Sequence, residues 1–453
     1  MLFDSELIDI QKIHAWELYS ESLLSEVRQA KDEGRDISEF EAAARSVAAM
    51  PKSAYREDLA DILFRALTTA PIRADYPYIE PDDLCEIRAA RPKNRKEFSK
   101  PDKTSLAPKI RGAWYGRIAG CLLGKPVEGW HTKELHEMLR KTGNFPLSRY
   151  MTSVDLSSMG KDFCRANEVG RTWADTLDGC APVDDDTNYT ALAVRVIDRF
   201  GRDFTPRDMA TAWVDMQPMN AYCTAERRAF KNFVAGIMPP KSATYKNPDR
   251  EFIGAQIRGD YFGYINPASP EAAADMAWRD ACISHVKNGI YGEMFVAAML
   301  AAAAVTSDVR EVLRAGLGEI PEKSRLAEAI ESVLSWFDGG IPQEDVFRRI
   351  HASWDEYLPF DWVHTIPNAM IVAASLLYGD GDYTKTICMA VETGFDTDCN
   401  GATCGSIFGM MHGDTAIGEE WKAPLCGTLD TSIFGVNRAS IDELVSRTLG
   451  HIE

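Results

Sequence analysis

The sequence lacks several marks of common protein classes, and each absence narrows the reading. Its ten cysteines include no CxxC pair, and the closest two are Cys399 and Cys404, which leaves reduced thiols as the simplest reading. The opening residues, MLFDSELIDIQKIHAWELYSESLL, lack a basic segment followed by an apolar one, so they do not read as a secretory signal. A cytoplasmic location with reduced thiols is expected. Long hydrophobic runs are missing too. The longest, Met294 to Val305, is too short to span a bilayer and reads as a buried helix. Positive charge is scarce: 68 Asp and Glu against 50 Lys and Arg leave a formal net charge of −18. Such a surface disfavours nucleic acid, whose phosphates need clustered Lys and Arg. Neither a nucleic-acid nor a membrane partner is expected. Alternating strand patterns are rare, and 256–265 is the one stretch that reads as a candidate strand.

What is present is helical. Leu7, Ile10, Ile13, Trp16 and Leu18 recur at helical spacing within residues 2–70, as do Leu59, Ile62, Leu63 and Leu67. A Pro-rich, charged passage from Pro71 to Pro108 suits an extended linker or surface strap. A boundary near residue 105 divides an N-terminal helical extension and linker, 1–105, from a second unit, 106–453. In the second unit, 186–200, 272–284, 292–305, 366–378 and 402–411 read as helices, many rich in small residues that permit close packing. The fold class is all-α, a compact multi-helix globule with an additional N-terminal helical segment.

Two acidic clusters stand out, each ahead of a helix. Asp184, Asp185 and Asp186 precede the first, and Asp396 and Asp398 lie in GFDTDCNG before the second. Helix capping explains one Asp at such a place. It does not explain three in a row, which repel one another unless a cation neutralises them. Neither loop contains Lys or Arg. An all-oxygen set suits Mg²⁺, Mn²⁺ or Ca²⁺, and the absence of an HExxH pattern weakens a zinc reading. Two such ions could share carboxylates, activate water and orient substrate oxygens.

Four ordered segments carry a resemblance to a known family: RGAWYGRIAGCLLGKPVEGW, VDDDTNYTALAV, ISHVKNGIYGE and GFDTDCNGATCGSIFGMMHG. In this order they resemble the ADP-ribosylglycohydrolases, over roughly residues 110–413. The resemblance implies an all-α fold with a two-Mg²⁺ centre, Mn²⁺ being a substitute, at the bottom of a cleft. It places the metal set at Asp184, Asp185, Asp186, Asp396, Asp398 and Cys399. Asp184 stands where many members have Thr, Cys399 where many have a Thr hydroxyl, and Cys121 where Asp is common. A thiol is a poor ligand for a hard cation.

Glu128 matches the family glutamate after the opening glycine turn and, with Asp185 and Asp396, forms the expected catalytic set. Gln256 lies in a segment loosely similar to the family's glycine-rich phosphate loop, and His285 matches a family histidine near the ligand. Asn288, Tyr291 and Asn400 complete the expected substrate-binding set. The implied activity is a dimetal glycosidase that cleaves a ribosyl N- or O-glycosidic bond through an oxocarbenium-like state. Its partner would be an ADP-ribosylated protein or a smaller ribosylated metabolite. A dimetal phosphoesterase and a silent ADP-ribose-binding protein are the alternatives. No feature sets the oligomeric state.

Overall fold

The computed structural model describes residues 9–167 and 172–453, and among them the chain forms 22 α-helices. Five position the site: α1 (Lys103–Gly124), α2 (Asp185–Phe200), α3 (Lys287–Ala303), α4 (Thr365–Tyr378) and α5 (Thr397–His412). The all-α expectation holds. The expected helices at 186–200, 272–284, 292–305, 366–378 and 402–411 all form, with ends within a few residues.

The pairing of α1 and α5 follows from glycine spacing. Gly112, Gly116, Gly120 and Gly124 fall every fourth residue and so share one face of α1. Gly401, Gly405 and Gly409 do the same on α5. The two faces meet in antiparallel register. A Cβ added at Gly116 would lie 2.0 Å from the Gly405 carbonyl oxygen, and one at Gly120 2.0 Å from that of Gly401. At Gly124 it would lie 2.3 Å from the backbone of Thr397 and Asp398. No side chain fits between these backbones, so the end of α1 lands on the start of α5. The Thr397 hydroxyl closes the join by donating to the Gly124 carbonyl at 2.9 Å. α3, buried along nearly its whole length, packs against both α4 and α5.

Three expectations are corrected. Residues 256–265 are helical, as a 3₁₀ turn at Gln256–Arg258 and a short helix at Asp260–Tyr264. The polar residues of that stretch, Gln256, Arg258 and Asp260, alternate along the sequence but are all buried with their neighbours, so the alternation marks no solvent-facing side. The described β-strands are β1 (Thr428–Ile433) and β2 (Val436–Ser440), an antiparallel hairpin with a bulge between Asp430 and Ile433. β1 shows the two-residue burial alternation of a half-covered strand. Near the N-terminus, 10–22 forms three 3₁₀ turns rather than one α-helix. Ile10, Ile13 and Trp16 recur every third residue, which matches the three-residue turn of a 3₁₀ helix. Leu2 and Leu7 lie outside the described residues.

The helices after Ser22 build a small core from Tyr19, Leu23, Val27, Ala30, Ile37, Leu63 and Leu67, among others. Buried charge joins this core to the rest. Arg250 pairs with Glu26 at 2.8 Å and Glu33 at 2.6 Å, and Gln29 donates to Glu251 at 2.6 Å. The Pro-rich strap has no regular secondary structure at Tyr76–Glu80 and is helical at Leu84–Ala90. Its Glu80 is buried against Arg325 at 3.0 Å.

Candidate metal centre

Both acidic loops are held by contacts distant in sequence. Asp184 is the N-cap of α2: its carboxylate accepts the Asp186 N–H at 3.0 Å. The approach to it is pinned by the hairpin, since the Ala181 N–H donates to the Thr428 carbonyl at 3.0 Å. Asn188, one turn into α2, accepts the Ser432 N–H at 2.7 Å. The second loop turns through Gly394 and Phe395, both at positive φ (77° and 59°). For a bulky residue such as Phe this backbone is strained. Asn368 of α4 secures the turn. Its side-chain oxygen accepts the Asp396 N–H at 3.2 Å and the Asn400 amide at 2.7 Å, while its own amide donates to the Trp362 and His364 carbonyls.

These supports bring the two loops to one buried point. Ligand atoms lie within 4.8 Å of one another in three sets: Cys121, Asp184 and Asp186; Asp186, Asp398 and Cys399; Glu128, Asp396 and Asp398. Asp186 belongs to the first two sets and Asp398 to the last two, so the three merge into one cluster. Asp185 stands half-buried beside it. The cations absent from the loops come from α1 and the turn after it. Lys125 pairs with Asp184, and the fully buried Arg117 pairs with Asp186 at 3.1 Å and with Asp260 at 2.9 Å. Carboxylates still outnumber these cations. Asp186 Oδ2 is buried without a hydrogen-bond partner, as is Asn400 Oδ1.

The uncompensated charge shows in the acidities. Burial, then Asp184, pushes Asp185 up to about 8 and Asp398 up to about 6. The Asp398 charge, then burial, raises Glu128 well above the ordinary carboxylate range. Groups whose folded pKa is raised contribute stability that is complete below their unfolded pKa and disappears as pH rises through the folded one. In chelator, the melting temperature is therefore expected to fall between about pH 5 and about pH 8, a window set by Asp398 and Asp185. A divalent cation should flatten that slope and raise the melting temperature most at the alkaline end. At a hundred times its dissociation constant a ligand adds about 2.7 kcal/mol. Thermal melts across pH with Mg²⁺ and with chelator measure both effects; a flat metal-free profile would contradict the clustering.

The expected substrate-binding residues scatter. Asn400 sits beside the cluster through Asn368. Asn288 and Tyr291 do not face it: Asn288 donates to Glu80 at 2.8 Å and to Glu251, and accepts the Leu326 N–H, while Tyr291 donates to the Pro81 carbonyl at 2.5 Å. Both are held by the strap and the charges beneath it, with no polar group left over. His285 is buried with Nδ1 2.8 Å from the Ser284 hydroxyl and Nε2 3.9 Å from Glu226. It lines a cavity of about 430 Å³ between Pro239, Pro240, Trp278 and Asp82. Gln256 is fully buried, and its side-chain amide has no hydrogen-bond partner.

A cavity of about 190 Å³ is lined by Gly129, Trp130, His131, Glu356, Tyr357, Pro359, Trp362 and Phe395, of which Gly129 follows Glu128 and Phe395 precedes Asp396 in the chain. None of these was singled out from the sequence. The signal was there, in Trp130-His131 directly after Glu128 and in the ring-rich run Trp354 to Trp362. Glu226, raised by burial to about 7, was also missed.

The sequence profile of the ADP-ribosylglycohydrolase family matches residues 102–453. A search of curated proteins finds no match. A solved structure described as an ADP-ribosylglycohydrolase-related protein complex is similar over 77% of this chain and 98% of its own, at 18% identity and a TM-score of 0.49. With about three quarters of its length matched by the family profile, the chain belongs to the ADP-ribosylglycohydrolase family of glycosidases, which act on ADP-ribose-related substrates.

Proposed function

We propose that this protein hydrolyses a ribosyl N- or O-glycosidic bond with two Mg²⁺ ions (Mn²⁺ as substitute) held by Asp184, Asp185, Asp186, Asp396 and Asp398. The observation that carries the reading is the merging of two acidic loops into one buried cluster with an orphaned carboxylate oxygen on Asp186. Buried carboxylates in excess of their cations need a counter-charge, and oxygen donors at this density fit a hard divalent ion. Cys121 and Cys399 fit it poorly. A thiol is a soft donor and a poor ligand for a hard cation, and they are left outside the ligand set.

Bound there, the ions would orient ribose hydroxyls and lower the pKa of an attacking water. The chain's own residues do the rest. Glu128, which shares the cluster with Asp396 and Asp398 and is left outside the ligand set, donates a proton to the leaving atom. Asp185, half-buried at the cluster edge, accepts the proton of the attacking water, a role for which the counter-charge of the bound ions would keep it ionised, and Asp396 holds the cluster's charge in place. The substrate is an ADP-ribosylated protein or a smaller ribosylated metabolite.

All ten cysteines are free, which supports a reducing cytoplasmic setting. No helix among the described residues is long and apolar enough to cross a membrane.

A turnover screen over ribosylated compounds, with Mg²⁺ and with chelator, tests the reading. Free ribosyl product is expected only with metal. Release of inorganic phosphate instead would favour a phosphoesterase, and tight binding without turnover a silent binder.

A further inference from the structure

The cavity lined by Gly129 and Phe395 is walled by rings, and the chain itself ties those rings to the carboxylates. Trp130 and His131 follow Glu128 by two and three residues, and Phe395 immediately precedes Asp396. Tyr357, Pro359 and Trp362 close the other side. Tyr357 stacks on His131 with ring centroids 4.0 Å apart and planes 21° from parallel. The Tyr357 side remains open, since that residue is 55% exposed. Phe395, by contrast, is buried and fixed by its left-handed backbone.

The charge of this slot is as informative as its rings. No lining residue is Lys or Arg, so nothing there pairs with phosphate. Its one carboxylate, Glu356, is already engaged: Oε1 accepts the Thr132 hydroxyl at 2.6 Å and Oε2 the Thr132 N–H at 3.0 Å, at the start of the helix Thr132–Lys141. The other charge-bearing ring, His131, lies 3.6 Å from Glu134. A guanidinium leaving group calls for a carboxylate free to meet its fork of donors, and the slot has none. It suits an uncharged, planar heteroaromatic ring lying on an aromatic face.

Glu128 precedes Gly129, which lines the slot, and its carboxylate belongs to the cluster with Asp396 and Asp398. A general acid must reach the atom that departs, so the space on its slot side is where the leaving group belongs. We infer that the slot binds the leaving group, and that this group is a planar heteroaromatic base of the pyridine, pyrimidine or purine kind. The inference rests on the ribosyl-hydrolase reading above. The step balances: water oxygen bonds to C1, the C1–N bond breaks with its electron pair staying on the base nitrogen, Glu128 gives that nitrogen a proton, and Asp185 takes one from the water.

The test uses the full chain with Mg²⁺ and ribosyl donors that differ only in leaving group: hypoxanthine, arginine or fluoride, with hypoxanthine and arginine also as ADP-ribosyl forms. Fluoride departs without needing the slot. Hypoxanthine donors are expected to exceed arginine donors at least tenfold in kcat/KM. Tyr357→Ala and Trp362→Leu should each lower the hypoxanthine-to-fluoride ratio of kcat/KM about tenfold, the size of one lost stacking contact. Titration of free hypoxanthine should show binding weakened by the same factor in Tyr357→Ala. Turnover of fluoride with arginine preferred, or with both variants lowering the two rates equally, overturns the slot assignment and leaves the hydrolase reading standing. No turnover of any donor, fluoride included, sinks the hydrolase reading, and the leaving-group assignment with it. Failure of hypoxanthine to bind overturns the slot whatever the turnover.

Discussion

Asp396→Ala is expected to lower kcat about a thousandfold or more while raising the melting temperature of the metal-free protein. The two effects share one cause. Asp396 is the N-cap residue of α5, yet its carboxylate makes no capping hydrogen bond, so alanine removes no backbone partner. What it removes is a buried carboxyl group that burial, then the charges of Asp398 and Glu128, raise well above the ordinary carboxylate range. Without metal, folding at neutral pH must suppress the ionisation of that group, which opposes folding, and with metal it is a ligand. A residue of purely structural worth would lose stability on truncation. Asp185→Ala should match the loss of activity. Asp184→Ala should differ, because that carboxylate does cap α2, and its removal costs about 1 kcal/mol of stability as well. Turnover, bound-metal content and thermal melts in chelator, taken together, decide it. Full activity in Asp396→Ala, or a metal-free melting temperature that falls, would sink the assignment.

Gly405→Val is the second large effect, and it acts on the frame. The added carbon would start 2.0 Å from the Gly116 carbonyl oxygen. Overpacking in a core usually costs about 1–3 kcal/mol because side chains can shift. Here the obstacle is backbone, and only separation of α1 from α5 relieves it, so about 3 kcal/mol or more is expected. Metal affinity should fall in parallel, since Glu128 and Lys125 would move away from Asp396 and Asp398. Gly450→Ala is the control. Its Cβ meets nothing within 4 Å, so its effect should stay within about 0.5 kcal/mol. Urea unfolding of both variants measures the difference. A Gly405→Val protein as stable as its parent would contradict the close packing of these helices.

Much of the fold was legible because helix formation is local. The interval between apolar residues set the type of turn at Asp185–Phe200, composition rich in Ala, Leu and Ile did so at Thr365–Tyr378, and even where the reading failed, at Ile10, Ile13 and Trp16, the interval of three was the one a 3₁₀ turn requires. The 256–265 stretch misled for a physical reason: a short segment buried on all sides has no polar face from which to read a period. The hairpin at 428–440 was passed over even though β1 alternates.

The sequence by itself determined the helices, the two acidic loops ahead of them and the shortage of neutralising charge within either loop. Each is written in residues a few places apart. Only the tertiary structure decided that the loops meet, that Lys125 and Arg117 lean on them, that Asn368 braces the second, and that Asn288 and Tyr291 serve the strap instead. These outcomes depend on backbones that approach closely at Gly116 and Gly405, nearly three hundred residues apart in the chain. Such a meeting is set by which faces fit, and no local spacing states it.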